Sequence, residues 1–268
     1  MSQDLAPATP YLRLRQICLV APWLDAVVAD LEAVFGVQVA WRDPQVAAFG
    51  LENAVLPFGP AFVEVVAPLT PTCAAARFLA RNGGQGGGYM AIFNCDDPLR
   101  RQAHAASLGV STVAELEQDG FTAVQLHPRD CRAAMIEFDR TEGERDLNGP
   151  YHAAGGTGWP RAVRTEVTLG LRTLVLQSAE PVPLGRHWAA LLERPFEPDA
   201  DGAGGSIGVD LCRLQFVAAP PGTAEGIAAL QVAVRDADAV LARARARGLG
   251  VTDQAIRMGG IRFEPINA

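Results

Sequence analysis

The chain has 268 residues, a formal net charge of −7 and 49% hydrophobic residues, which is ordinary for a globular protein of one or two domains. All 23 basic residues are arginines; the lack of lysine excludes Schiff-base chemistry, anchored pyridoxal phosphate and a P-loop. The acidic balance predicts no nucleic acid or membrane partner, and no apolar run approaches the roughly 18 residues that span a bilayer.

The first predicted unit has the order β-α-β-β-β. Residues 12–20 (LRLRQICLV) form an apolar strand, and apolar residues then recur at helical spacing over 24–35 until Gly36 closes the helix. Short β-type stretches follow at 37–41, 47–51, 54–56 and 61–66. The same order recurs from Gly88.

Further copies begin near Leu171 and Ile227, and the last ends at 261–266, so it is predicted to be short by a strand. We therefore predict an α+β fold of four tandem βαβββ modules, the last incomplete, paired into two cups. The expected divisions are a tail at 1–11, a first domain at 12–140, a Gly-rich linker at 141–162 and a second domain at 163–268.

The five cysteines, at positions 18, 73, 95, 131 and 212, form no C-x-x-C pair. This pattern fits neither a disulfide framework nor a cysteine zinc site, and no signal peptide is recognised, so we expect a cytoplasmic protein. The run GGQGGG at 83–88 is interpreted as a connector after a helix, with a substrate-covering loop as the alternative.

Glu64 and Glu137 stand out because each lies within a strand of apolar residues, FVEVV and MIEF. A buried carboxylate must be paired, bound to a cation, protonated or turned towards a wet cavity. An isolated Glu in a strand is usually exposed, but the two occupy the same position in two repeats. The pattern favours a shared site.

Four segments carry a family resemblance: LRQICLVAPWLDAVVADLEAVFG, AFVEVVAP, GGYMAIFNCDD and LHPRDCRAAMIEF. They resemble the vicinal oxygen chelate superfamily, which includes glyoxalase I, methylmalonyl-CoA epimerase, bleomycin resistance proteins and extradiol dioxygenases. The resemblance covers residues 12–140 and becomes mainly topological over 165–266. It implies paired βαβββ modules around a cup and identifies the fold better than the reaction.

The resemblance also implies four metal-ligand positions, which fall on Gln16, Glu64, Met90 and Glu137. One type of glyoxalase I uses Gln, Glu, His and Glu in this order, so Met90 replaces the histidine. A thioether is a poor ligand for Zn²⁺, Ni²⁺ or Fe²⁺, whereas the remaining oxygens suit Mg²⁺ or Mn²⁺. A weakened metal site, a metal-free acid/base site and a purely binding cup all remain open.

Strand alternation predicts which side chains line the cup; they are Leu14, Gln16, Cys18, Phe62, Glu64, Met90, Ile92, Asn94, Met135 and Glu137. Glu64, Glu137 and Gln16 are the candidate catalytic residues, and His127, in the HPRD turn, is a further candidate. The candidates for substrate binding are Phe62, Met90, Asn94, Met135 and Arg77. In the second half only Glu264 offers a carboxylate at a comparable position.

These residues predict a glyoxalase-like lyase or isomerase that acts on a small keto or hydroxy compound through a carboxylate base. A non-catalytic drug-binding protein of the bleomycin resistance type is the main alternative, and a dioxygenase is the second. The expected partner is a small molecule, and a homodimer is a further expectation.

Overall fold

The computed structural model describes residues 10–268. The strands of the first half are β1 (Leu12–Val20), β2 (Leu51–Phe58), β3 (Ala61–Pro68), β4 (Gly87–Cys95), β5 (Thr112–Gln118), β6 (Phe121–Leu126) and β7 (Met135–Thr141). Its helices are α1 (Leu24–Phe35), α2 (Ala74–Arg81), α3 (Pro98–Ser107) and the single turn α4 (Pro128–Cys131).

The second half repeats this order after short 3-10 turns at His152–Ala154 and Trp159–Ala162. Its strands are β8 (Thr168–Ser178), β9 (Glu197–Pro198), β10 (Gly205–Val209), β11 (Cys212–Ala218), β12 (Gly226–Val234), β13 (Val251–Thr252), β14 (Ala255–Met258) and β15 (Ile261–Asn267). Its helices are α5 (Pro181–Leu192) and α6 (Ala237–Ala246).

Each half forms one mixed sheet, which confirms the predicted α+β class and the pairing of βαβββ modules. The first sheet has the order β2-β3-β1-β4-β7-β6-β5 and the second has β13-β14-β15-β12-β8-β11-β10-β9. In both sheets the first strands of two modules meet antiparallel at the centre, β1 with β4 and β8 with β12. Each sheet therefore has an approximate twofold axis at its middle.

The fourth module contains its helix and three following strands, so the strand expected to be missing is present as the two-residue β13. The first module has the weaker strand instead. Its stretch 37–41 pairs with β2 only through an isolated bridge between Trp41 and Val55. The two-residue β13 was too short to be recognised in the sequence pattern. The stretch 37–41 was predicted to be a strand but forms only a single bridge.

The helices of both halves share one apolar core. Helix α1 buries Leu24, Val28 and Leu31, and it packs against α6 of the second half. Trp188 of α5 is fully buried and its indole N–H donates to the carbonyl of Cys131 at 2.9 Å. Because the helical faces of the two sheets meet in this core, the opposite face of the first sheet is left to form a cup.

Close packing explains the glycines at positions 86 and 88 of the 83–88 run. Gly260, with φ of +82°, approaches Gly86 so closely that an added Cβ would lie 1.8 Å from the Gly86 carbonyl oxygen. Gly88 similarly abuts Ile227, with 2.3 Å between its ideal Cβ position and the side chain. The second part of the run therefore joins the two halves. No helix within 10–268 combines the length and the apolar character needed to cross a membrane.

Candidate active site

Strand register places the two predicted carboxylates at equivalent positions of the first cup. Glu64 on β3 lies beside Cys18 on β1, and Glu137 on β7 lies beside Ile92 on β4. The twofold axis between β1 and β4 relates these two pairs, because Cys18 pairs with Met90 and Ile92 pairs with Gln16. The repeated sequence position is therefore also a repeated structural position.

Glu64 is held by two amide side chains. Its Oε2 accepts from Gln16 Nε2 at 2.9 Å and its Oε1 accepts from Asn53 Nδ2 at 2.7 Å. Burial raises the pKa of Glu64, while the hydrogen bonds from Asn53 and Gln16 oppose that rise. Both oxygens of this carboxylate are thus already engaged, so it is better suited to orient neighbouring groups than to take a proton.

Glu137 has a less occupied carboxylate. Gln125, its neighbour on β6, donates from Nε2 to Oε2 at 2.7 Å, and no side chain of the described residues donates to Oε1. Burial, followed by the negative charges of Asp139 and Glu64, raises the pKa of Glu137 to about 8. A carboxyl group that titrates near neutral pH can both take and return a proton.

One half of the cup is apolar. Cys18, Met90, Ile92 and Met135 pack with Leu79 of helix α2, which lies over this part of the sheet. Glu137, Met90, Met135 and Glu64 are 7–9% exposed, so each keeps a small contact with solvent. A ligand that enters here meets an apolar wall and then the two carboxylates.

The segment at 142–163, here called the strap, covers the other half of the cup. Tyr151, Ala154 and Trp159 are buried and pack against Phe62 and Val55. The Tyr151 ring stacks on Phe62 with 4.9 Å between centroids, and Trp159 meets Phe62 edge-on at 5.0 Å. The stretch predicted as a linker is thus packed onto the first sheet.

A β-bulge in β1 changes which side chains enter the cup. The pairing with β4 shifts between Leu14 and Gln16, so Arg15 and Gln16 both reach the inner face. Leu14, which strict alternation placed in the cup, lies instead in the core shared with the helices. The extra residue of a bulge breaks the period of two on which that prediction depended.

A polar cluster lies below the strap. Asn94 Nδ2 donates to Asp139 Oδ1 at 2.8 Å and to Glu144 Oε2 at 2.5 Å. Glu144 Oε1 in turn accepts from the hydroxyl of Tyr11 at 2.5 Å. Burial and the charge of Glu144 raise the pKa of Asp139 to about 7, against the opposing effects of Asn94 and Arg15. Tyr11 belongs to the predicted tail, whose residues 1–9 lie outside the described part of the chain.

Two predicted residues lie away from the carboxylates. His127 caps the turn α4, where its Nδ1 accepts from the backbone N–H of Arg129 at 3.2 Å. Arg77 is exposed on α2 and donates to the carbonyl of Thr72. Neither makes a hydrogen bond to Glu64 or Glu137 among residues 10–268. Phe62 and Asn94 lie below the strap, whereas Met90 and Met135 belong to the apolar half.

Sequence reasoning missed several polar residues of the cup. Asp139 follows Glu137 by two positions on one strand, so alternation alone places it on the inner face. Gln125 and Asn53 carried no sequence signal, because their role depends on pairing between strands. Arg15 was hidden by the bulge, and Tyr151 lay in a stretch without periodicity.

The second cup has few groups suited to chemistry. The register of Gln231 with Glu264 matches that of Ile92 with Glu137. Glu264 accepts from Gln231 Nε2 at 3.2 Å and pairs with Arg262 at 3.4 Å. The other equivalent positions hold Thr173, Gln215 and Ala229.

Two surface grooves, of about 460 and 280 Å³, both border His152 and Gly156 on the strap and include neither Glu64 nor Glu137.

The metal implied by the family resemblance does not fit the donor set of the first cup. Both oxygens of Glu64 accept amide N–H groups, Gln16 turns its Nε2 towards Glu64, and Met90 offers only a soft thioether. Within 10–268, no three or more His, Cys, Asp and Glu side chains are grouped to hold a metal ion.

No protein-family model and no curated protein matches the sequence. A methylmalonyl-CoA epimerase in complex with methylmalonyl-CoA and NH4+ is 22% identical, over 50% of this chain and 96% of its own, with a TM-score of 0.45. The Mycobacterium tuberculosis methylmalonyl-CoA epimerase is 20% identical, over 49% of this chain and 89% of its own, with a TM-score of 0.43.

A hypothetical protein from Staphylococcus aureus matches over nearly the whole length. It is 11% identical and covers 95% of this chain and 100% of its own, with a TM-score of 0.65. This likeness extends across both sheets, so it shows that the tandem arrangement is a fold that another protein shares. The first cup of this fold holds the paired carboxylates.

Proposed function

We propose that the chain is an enzyme that moves a proton at a carbon next to a carbonyl group, as an isomerase or lyase does. The observation that carries the proposal is the pair of buried carboxylates at equivalent positions in one cup. Glu137 serves as the general base and acid, because it has a free oxygen and a pKa of about 8. Glu64, engaged by Gln16 and Asn53, orients the site.

The surroundings of Glu137 support this division of roles. A carboxylate in a poorly solvated cup is more basic than in water, which helps it remove a weakly acidic proton from carbon. Met90 and Met135 form an apolar wall beside it, which suits a small organic ligand with an apolar part. No step of the proposed reaction passes through a metal.

A non-catalytic binding protein is the second candidate, and the apolar half of the cup favours it. A cup lined by Cys18, Met90, Ile92 and Met135 could retain a drug-like molecule without any turnover. Binding of this kind depends on apolar contact and so would not require an ionisable group at position 137.

The test measures exchange of carbon-bound hydrogen in D₂O. The protein is incubated with a panel of small 2-keto acids, 2-hydroxy ketones and acyl thioesters, and proton NMR records the loss of the signal next to the carbonyl. We expect exchange with at least one compound and its loss in Glu137→Gln. The control is Glu117→Gln, because Glu117 is exposed on β5.

A panel without exchange in the wild-type protein would refute the enzyme proposal. Equal exchange in wild type and Glu137→Gln would refute the role of Glu137. Retained ligand binding in Glu137→Gln, with no exchange in either protein, would instead support the binding function.

A further inference from the structure

The strap covers a buried polar cluster, here called the chamber, formed by Arg15, Asn94, Asp139 and Tyr151. All four side chains are at most 1% exposed. Five of their polar atoms make no well-formed hydrogen bond among the described residues: Arg15 Nε, Arg15 Nη1, Asn94 Oδ1, Asp139 Oδ2 and the Tyr151 hydroxyl. The Tyr151 side chain nevertheless lies close enough to the Asp139 carboxyl to oppose the rise in its pKa. Gln16 Oε1, on the adjacent residue of β1, is a sixth such atom.

Arg15 is positioned by aromatic rings more than by hydrogen bonds. Its guanidinium carbon lies 5.4, 5.2 and 5.3 Å from the ring centroids of Phe62, Tyr151 and Trp159. Its Nη2 donates a hydrogen bond to the carbonyl of Leu147 at 2.9 Å. The rings hold the cation in place and leave two of its nitrogens directed at no partner.

Buried polar atoms without partners are costly, at about 1–3 kcal/mol each, and native proteins satisfy nearly all of them. The free atoms of this chamber include both donors and acceptors, so an oxygen-bearing molecule would satisfy them better than an ion of one sign. The donors are the Tyr151 hydroxyl and the Arg15 guanidinium.

The chamber adjoins Glu137. Asp139 lies two residues further along the inner face of β7, a separation of about 7 Å in a strand. The hydroxyl of Tyr151 lies within electrostatic range of Glu137, Asp139 and Arg15. A ligand with its acidic carbon at Glu137 therefore extends its carbonyl oxygen towards this chamber.

We propose that the chamber is the oxygen subsite of the ligand, in which the Tyr151 hydroxyl and the Arg15 guanidinium donate hydrogen bonds to the carbonyl oxygen. This inference rests on the proposed proton-transfer function and adds Tyr151 and Arg15 to its catalytic residues.

The proton-transfer step balances with these groups alone. The carboxylate of Glu137 takes the proton from the carbon, and the electrons of that C–H bond form a C=C bond. The electrons of the C=O π bond move to the oxygen, which becomes an enolate oxygen. Tyr151 and Arg15 stabilise the new negative charge, and Glu137 returns the proton to the same face of that carbon or to the neighbouring atom.

Acetohydroxamic acid is the probe, because its N–OH group is weakly acidic and its ionised form resembles an enolate, whereas acetamide has no such group. We expect isothermal titration to show that wild type binds acetohydroxamic acid at least about tenfold more tightly than acetamide. Tyr151→Phe keeps the ring on Phe62 and removes only the hydroxyl. It should weaken binding of the probe by about tenfold or more, the loss expected for one hydrogen bond to a charged oxygen.

The control is Tyr89→Phe, since Tyr89 packs against Phe78 of α2 at the other side of the cup. The chain has only three tyrosines, so carbon-13 labelling of their rings gives a second readout. Only the Tyr151 signal should move when the probe binds. Arg15→Met tests the other donor, with circular dichroism to show that the fold is retained.

Equal affinity in wild type and Tyr151→Phe, or no preference of wild type for the probe over acetamide, would overturn the oxygen subsite. A water-filled chamber that the probe does not enter in a crystal structure would overturn it too. Loss of probe binding in Tyr151→Phe together with equal hydrogen exchange in wild type and Glu137→Gln would support the subsite while arguing against Glu137 as the base. The two proposals can therefore fail separately.

Discussion

Replacement of Glu137 by glutamine should make the protein more stable at alkaline pH. The ordinary pKa of this side chain is 4.5 and burial raises it to about 8 in the folded protein. A group whose pKa is raised by folding stabilises the folded state fully below the unfolded value. That contribution is lost as pH rises through the folded value, because the unfolded chain gives up its proton first.

The size of the effect follows from the two pKa values. Integration of the difference in bound protons gives a fall of about 4 kcal/mol in the free energy of unfolding between about pH 5 and about pH 9, as an upper estimate. Glu137→Gln removes this fall while preserving the acceptor for Gln125 Nε2. The variant should thus resemble wild type near pH 5 and exceed it by several kcal/mol near pH 9.

Urea unfolding followed by circular dichroism at about pH 5, 7 and 9 measures the free energy of unfolding directly. Glu117→Gln is the matched control, because the same chemical change occurs at an exposed position on β5. Its curve should follow that of wild type at every pH. If the Glu137→Gln curve also stays parallel to wild type, then Glu137 is well solvated and the argument for its role as a base fails.

Three further substitutions, and a fourth that serves as a control, test other parts of the structure. Met90→His should create a divalent-metal site with a dissociation constant at least about tenfold below that of wild type, since imidazole replaces a soft thioether; calorimetry with Zn²⁺ or Ni²⁺ measures it. Gly260→Ala should cost more than 3 kcal/mol of unfolding free energy or prevent folding, because its Cβ would overlap the carbonyl of Gly86. Gly248→Ala, where φ is +79° and the space is open, should cost only about 1 kcal/mol. Trp159→Ala should destabilise the protein by about 3–5 kcal/mol and increase hydrogen exchange in the strap.

The spacing of apolar residues predicted much of the fold, because most strands and helices of this chain have the regular spacing expected for their type. The face of α1 and the alternation of β3 and β7 follow from apolar spacing alone, and the repeat of FVEVV and MIEF located both carboxylates. The predictions failed where a residue broke the period. The bulge at Arg15 moved Leu14 out of the cup. The two-residue β13 is too short for its sequence to be distinguished from that of a loop.

The strap could not be predicted from its composition. Its glycines and polar residues resemble a flexible linker, and its role depends on three aromatic rings meeting in space. Tyr151 and Trp159 lie eight residues apart in sequence, yet both contact Phe62 of β3. Only the sheet that presents Phe62 gives these two side chains a common partner.

The charges of the first cup restrict the ligands that it can accept. Four buried carboxyl groups, those of Glu64, Glu137, Asp139 and Glu144, accompany one fully buried guanidinium, that of Arg15. If all four were ionised, their mutual repulsion without water would be large, and burial raises the pKa of each of them. An added anion would oppose the ionisation that Glu137 needs as a base, whereas a neutral carbonyl compound would not. The cup should therefore bind neutral acetamide in preference to propionate, and the preference should increase as the pH rises through about 8, where Glu137 ionises.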